Sequence, residues 1–403
     1  MKYILRQFGL TALCFVVLYS VLLAITFIIK ADAARNGSLD VWTAGDTLYL
    51  TSPKYAFLGR DVLNVPDQKV ILVGASNIRL PMNQGPAQAL SSCAKLSNLA
   101  IGSANITEVR QMIDLVHDVQ DPDARRSNVF VIGVWFGMFV DTERLWPGAG
   151  REHGDTDLDI ERYRYGFYRR TADGPVAVLP PQWLRAGVTM IRPYLLLEKA
   201  ARWATSGLRS SLLGRPPVMS DDDREAVVLS DADKAKALGR WRQTMGGDRP
   251  ISATQVVLLQ DTIENLLQSG EKVVLVDLPM PTWHRDASPY LPEYASWVQD
   301  GVFEHFEARA GFSTLKMQDL DADADYTDEV HPKPHLARIW AQRLKEVLSP
   351  MVCDASIHQT ANYVVTSPAG VDGVAAQPSI RPGETGEHHG KIDGLREAHD
   401  GVP

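Results

Sequence analysis

Lys69-Val70-Ile71-Leu72-Val73-Gly74-Ala75-Ser76-Asn77 joins an unbroken apolar, β-branched run to a turn of small residues and a serine. A run without polar alternation suits a strand covered on both faces. Asn128–Val134 (NVFVIGV) and Lys272–Asp277 (KVVLVD) repeat that character, and Leu96–Ile101 and Ser313–Leu320 carry it more faintly. Between them, Ile106–Gln120 sets Val109, Met112, Ile113 and Val116 at helical spacing, and Thr254–Gln268 does the same with Val257, Leu258, Ile263, Leu266 and Leu267. His335–Leu348 reads as a closing helix. Alternating strands and helices with right-handed crossovers predict an α/β fold, a three-layer αβα sandwich around a mostly parallel five-stranded sheet.

Ligands of such sheets bind at the carboxyl ends of the strands, and Ser76 follows the first strand there. A helix starting at Ser76 would turn backbone N–H groups toward developing negative charge, which suits a nucleophile, although a strand-end serine is by itself an ordinary helix cap. A second element gives the serine a partner. Asp328-Glu329-Val330-His331-Pro332 precedes the closing helix, and an acid three residues before a histidine can hold one ring nitrogen while the other meets a serine. Ser76 and His331 are far apart in sequence, but both fall on loops at the same sheet edge.

The strand and helix alternation breaks between about 141 and 250, which reads as an insertion. It carries Pro147-Gly148, the aromatic and basic stretch Arg162–Arg170, and Pro180-Pro181. Exposed hairpin is the default for 162–170, with a platform for acidic glycans as the alternative. Tyr194–Leu213, after Pro193, reads as a cap helix or as a helix lying on a membrane surface or partner.

The chain of 403 residues carries 41 basic and 49 acidic side chains, a charge of −8. Residues 351–403 hold three basic and seven acidic residues, with seven glycines and four prolines, and read as a disordered acidic tail. No clustered basic surface is present, so nucleic acid is excluded as the expected partner.

Phe8 to Ile29 is a run of 22 residues without a charge, long enough to cross a bilayer as a helix. Lys2 and Arg6 precede it, so the positive-inside rule predicts a single-pass anchor in the inner (cytoplasmic) membrane with the body periplasmic or otherwise extracytoplasmic. Ala31-Asp32-Ala33 resembles a signal cleavage site, but signal cores are usually only about 7–15 residues. The expected organisation is therefore an anchor or uncleaved signal at 1–30, a lead-in segment at 31–65, an α/β domain at 66–350 interrupted at about 141–250, and the tail. With Cys14 in the span, Cys93 and Cys353 form the one possible disulfide. An oxidising compartment permits it, and two unpaired residues are the plainer expectation.

The order Gly-x-Ser after the first strand, Asn-…-Gly after the second and Asp-x-x-His-Pro near the end resembles the SGNH (GDSL-type) hydrolase superfamily, over roughly 66–140 and 251–348. The resemblance implies an SGNH/flavodoxin-like fold with Ser76 as nucleophile, His331 as general base and Asp328 as its orienting acid. The second block, Asn98-Leu99-Ala100-Ile101-Gly102-Ser103-Ala104-Asn105, places Ser103 where the family has its oxyanion glycine, with Gly102 beside it. The third block departs: Gly133-Val134-Trp135-Phe136 stands where the family has Gly-x-Asn-Asp, so the side-chain donor would have to come from Trp135, Asn77 or Asn105. Trp283, His284 and Arg285, after the fourth strand, are candidate substrate contacts, with a surface loop as the alternative.

With its N-terminal span, the chain resembles the membrane-anchored branch that works on O-acyl groups of cell-surface polysaccharides. That implies an esterase or O-acyltransferase acting through an acyl-enzyme on an acetylated surface or exported glycan. The alternative is a catalytically weak or inactive accessory protein that binds glycan or recruits a polytopic membrane acyltransferase or polysaccharide synthase. No Walker loop, dinucleotide fingerprint or HExxH pattern is present, and no cofactor or metal is expected; His388, His389 and His399 read as solvated tail residues.

Overall fold

The computed structural model describes residues 2–28, 63–64, 66–79, 85–141, 155–171, 174–198, 200–201, 205, 220–247 and 250–353. The chain divides into two units, Met1–Thr360 and Ala361–Pro403, and every described residue belongs to the first. Most of the lead-in 31–65, part of the insertion and residues 354–403, including His388, His389 and His399, lie outside the described residues.

Five strands form the main sheet: β1 Lys69–Gly74, β2 Lys95–Asn98, β3 Asn128–Val134, β6 Lys272–Asp277 and β7 Phe312–Lys316, with β2 and β7 starting one residue before the expected Leu96–Ile101 and Ser313–Leu320 and ending three and four residues short of them. Two more, β4 Tyr168–Thr171 and β5 Gly174–Ala177, make a separate antiparallel hairpin. The sheet order is β2-β1-β3-β6-β7 with every neighbouring pair parallel. All residues of β1 and β3 are buried, which is why neither alternates apolar with polar side chains.

The principal helices are α1 Lys2–Ile28, α2 Ser76–Arg79, α3 Ile106–Val119, α4 Pro181–Met190, α5 Asp231–Thr244, α6 Ala253–Gln268, α7 Thr282–Ala287 and α8 Pro334–Val352. Helices flank the sheet. In α3 the predicted positions Val109, Met112, Ile113 and Val116 are all buried. In α6 the buried stripe is Val256, Leu259, Ile263 and Leu266, whereas Val257 is exposed and Leu258 and Leu267 only partly covered. The expected register was displaced there because the apolar run Val256-Val257-Leu258-Leu259 fits more than one helical face.

Helix α1 is long and apolar enough to cross a membrane. One face of its last two turns is covered: Tyr19, Leu22 and Leu23 are half-buried and Thr26 is buried. The Arg192 guanidinium donates to the Thr26 carbonyl at 3.0 Å and lies 5.0 Å from the Phe27 ring centre, while the Tyr19 hydroxyl donates to the Met190 carbonyl.

Within 141–250, the stretch Arg162–Arg170 is not one exposed hairpin. It splits between the end of a helix, Asp157–Arg164, and strand β4, with Arg162 and Tyr168 buried against each other. The cysteines also depart from expectation: Cys93 and Cys353 are joined in a disulfide with Cα atoms 5.0 Å apart, tying the segment before β2 to the end of α8.

Candidate active site

Gly74 ends β1 with φ +144°, and a Cβ there would lie 2.8 Å from both the Gly133 carbonyl oxygen and Ile78 Cγ2. On β3, a Cβ at Gly133 would meet Ile78 Cγ1 at 2.6 Å. The two missing side chains leave room for Ile78, which seats α2 against the strands and sets Ser76 at its first residue, above the carboxyl ends of β1 and β3.

The loop before α8 is folded by its own backbone. Tyr326 and Pro332 form an antiparallel bridge, Thr327 N–H donates to the His331 carbonyl at 2.9 Å, and Lys333 N–H donates to that of Asp325 at 2.8 Å. Inside this turn Asp328 Oδ1 accepts from the N–H groups of Val330 and His331, both at 2.9 Å. Its other oxygen, Oδ2, accepts from His331 Nδ1 at 2.7 Å, and His331 Nε2 lies 2.8 Å from Ser76 Oγ. A carboxylate can only accept, so the proton resides on Nδ1 and Nε2 accepts the serine hydroxyl. Burial alone would raise the Asp328 carboxyl, but the hydrogen bond and charge of His331 and the two backbone donors outweigh it and hold the group below the ordinary carboxylate range.

These residues open into a cavity of about 360 Å³. Ser76, Asn77, Ser103, Trp135, Asp328 and His331 line it. Ser103 has φ +58°, the one non-glycine residue with positive φ among the described residues, so it holds the left-handed turn that a glycine adopts more cheaply. Asn77 Nδ2 and Trp135 Nε1 are buried donors with no acceptor among the described residues. Trp135 packs edge-on against Trp241 at 4.7 Å and Phe136 at 4.9 Å.

Other predicted residues stand elsewhere. Asn105 caps α3, accepting from Glu108 N–H and donating to the Val140 carbonyl, so its amide is committed to the fold. Gly102 is exposed and lies outside the cavity lining. His284 is fully buried under Trp135, Trp241 and Trp283, because α7 turns its ring inward. Its Nδ1 donates to the Glu329 carbonyl at 2.8 Å, and burial lowers its pKa to about 4, so it is neutral and steadies the 328–331 loop. Trp283 stacks on it, away from the cavity. Arg285 is paired with Asp286 and Asp321 and lines a different cavity of about 220 Å³.

The sequence reading missed Arg240, Trp241 and Thr244 of α5 and Glu329, all of which line the cavity. The Glu329 carboxylate is buried, accepts the Trp241 indole N–H at 3.0 Å and pairs with Arg240. A Ser230–Asp233 capping box announces α5, but nothing local shows that its far end reaches the sheet edge. Among the described residues no group of three or more His, Cys, Asp or Glu could hold a metal ion.

No protein-family model matches the chain, and no curated protein matches it either. What the site can do therefore rests on its geometry. A hydroxyl hydrogen-bonded to a neutral imidazole, itself held by an ionised carboxylate, can lose its proton as it attacks an electrophilic carbon.

Proposed function

We propose that the chain is an SGNH-like serine esterase or O-acyltransferase with a three-layer αβα domain, held by α1 as a single-pass anchor and acting outside the cytoplasm. The observation that carries the reading is the continuous chain from Ser76 Oγ through His331 to Asp328, with links of 2.8 and 2.7 Å. Ser76 Oγ attacks the ester carbonyl and His331 Nε2 takes its proton. The tetrahedral oxyanion collapses, the C–O bond to the alcohol breaks, and His331 returns the proton to the leaving oxygen. Water, or a hydroxyl of an acceptor, then repeats the sequence on the acyl-Ser76 ester and regenerates the serine.

Backbone N–H groups at Ser76 and Ser103 and the unpaired amide of Asn77 are the donors for the oxyanion. The proposed substrate is an O-acyl, chiefly acetyl, ester of a surface or exported polysaccharide. An extracytoplasmic body agrees with the Cys93–Cys353 disulfide, since such bonds persist in oxidising compartments.

A second reading, an accessory protein that binds glycan or recruits a membrane acyltransferase or synthase, draws on Trp135, whose indole is packed among aromatic rings where the family has an asparagine. A fluorophosphonate probe on the purified full chain separates the two. Covalent labelling lost in Ser76→Ala and His331→Ala supports the enzyme. No labelling of the folded protein, with glycan binding intact in Ser76→Ala, supports the accessory protein and overturns the triad.

A further inference from the structure

Helix α4 and the helical residues that follow it are apolar on two sides. One stripe faces the core: Leu184, Val188 and Ile191 are half-buried and Leu195 is buried. The other faces outward: Trp183, Met190, Tyr194 and Leu197, spaced by seven, four and three residues, are 64%, 50%, 54% and 55% exposed. A helix inside a water-soluble protein keeps its outer face polar, so this face is built for another medium.

The neighbouring contacts identify that medium. The outward stripe is continuous with Met190 and Arg192, the residues that hold Tyr19, Thr26 and Phe27 of α1. Helix α1 has 27 residues, about 40 Å at 1.5 Å per residue, against a hydrocarbon core of about 30 Å. The uncharged run starts at Phe8, and about 30 Å of helix from there ends near Phe27, so the contacts of Arg192 with Thr26 and Phe27 fall at the outer boundary of any bilayer that α1 crosses. The β4–β5 hairpin adds exposed Val176 and Val178, with exposed Arg169 directly opposite Val176. Trp and Tyr beside aliphatic side chains with a basic neighbour suit the headgroup region, where apolar bodies are buried and charged or polar tips stay wet.

We infer that the face carrying Trp183, Met190, Tyr194 and Leu197 is seated in the interfacial layer of the lipid bilayer, so that α4 and α1 together fix the domain against the membrane. The inference rests on the anchor reading of α1 and is independent of the Ser76 chemistry.

Site-specific fluorescence on the full chain in nanodiscs of phosphatidylcholine and phosphatidylglycerol tests it. An NBD label on native Cys14 reports insertion of α1. With Cys14→Ser, labels at Trp183→Cys or Met190→Cys report the face, and Val257→Cys on α6 serves as the water-exposed reference. The expected result is quenching by doxyl lipids at 14, 183 and 190 several-fold above that at 257, with blue-shifted emission. Quenching at both 183 and 190 no greater than at 257, with Cys14 quenched, overturns the inference and leaves the anchor standing. A blue shift at 183 and 190 without lipid quenching also overturns it, since another protein surface or a second copy then covers the face. An unquenched Cys14 removes the anchor, and the inference falls with it.

Discussion

The indole nitrogen of Trp241 donates to the Glu329 carboxylate at 3.0 Å, so a residue of the insertion grips the one loop that holds both Asp328 and His331. His284 holds the same residue from below through its carbonyl at 2.8 Å. The position of the imidazole is thereby set by side chains from α5 and α7 as well as by its own turn.

Trp241→Phe keeps the ring and removes that donor. A buried carboxylate left one hydrogen bond short costs about 1–3 kcal/mol. The expected outcome is a lower melting temperature and a rate of fluorophosphonate labelling reduced about tenfold, with Arg240 left as the side-chain partner of the Glu329 carboxylate. Thermal unfolding and labelling kinetics on the same samples check both.

Asn77→Ala removes the unpaired amide beside Ser76. If that amide meets the oxyanion, turnover of a small acetyl ester falls on the order of 10²–10³ with KM little changed. Trp135→Phe, which keeps the aromatic packing, is expected to stay within a few-fold of the parent. Steady-state kinetics of the two variants side by side decide which donor serves.

Ser103→Gly relieves the left-handed turn at φ +58°. Stability is expected to rise by up to about 1 kcal/mol while esterase activity is retained, because the backbone N–H of residue 103 remains. Denaturant unfolding measures the first and ester turnover the second.

His284 titrates near 4 in the folded chain against an ordinary value of 6.5. Between those values the unfolded chain binds the extra proton, so the contribution of neutral His284 is complete above about pH 6.5 and is lost as pH falls toward 4. His284→Gln lacks this titration. Its destabilisation relative to the parent at pH 7.5 is expected to shrink below pH 6.5 by about 1.4 kcal/mol per unit, read from denaturant melts at several pH values.

Reduction of Cys93–Cys353, which closes a sequence separation of 260 residues, is expected to destabilise the domain by about 2–5 kcal/mol. Unfolding with and without reductant, and in Cys93→Ser, measures it.

Strands β1, β3 and β6 and helix α3 were legible because each is an apolar run or a clear periodic face, whereas β2 and β7 are short and mixed in polarity; the order of Ser76, Asp328 and His331 along the chain folds into a 2.8 and 2.7 Å relay. Residues placed by distant packing were not legible. Asn105 looks like a free donor until the start of α3 and the Val140 carbonyl claim it. His284 and Trp283 follow a strand end, as substrate contacts do, but α7 turns them inward. Arg240 and Trp241 lie 89 and 88 residues from Glu329, on a helix whose own periodicity says nothing of the loop it reaches.

Ile78 occupies the space that side chains at Gly74 and Gly133 would need. The serine turn is thus keyed to two adjacent strands by shape, and Ser76 cannot shift without moving the middle of the sheet. The opposing wall comes from α5, whose Trp241 packs on Trp135, the residue after β3. Selectivity can therefore change at Thr244, which lines the cavity, while Arg240 and Trp241 carry both the wall and, through Glu329, the aim of the imidazole.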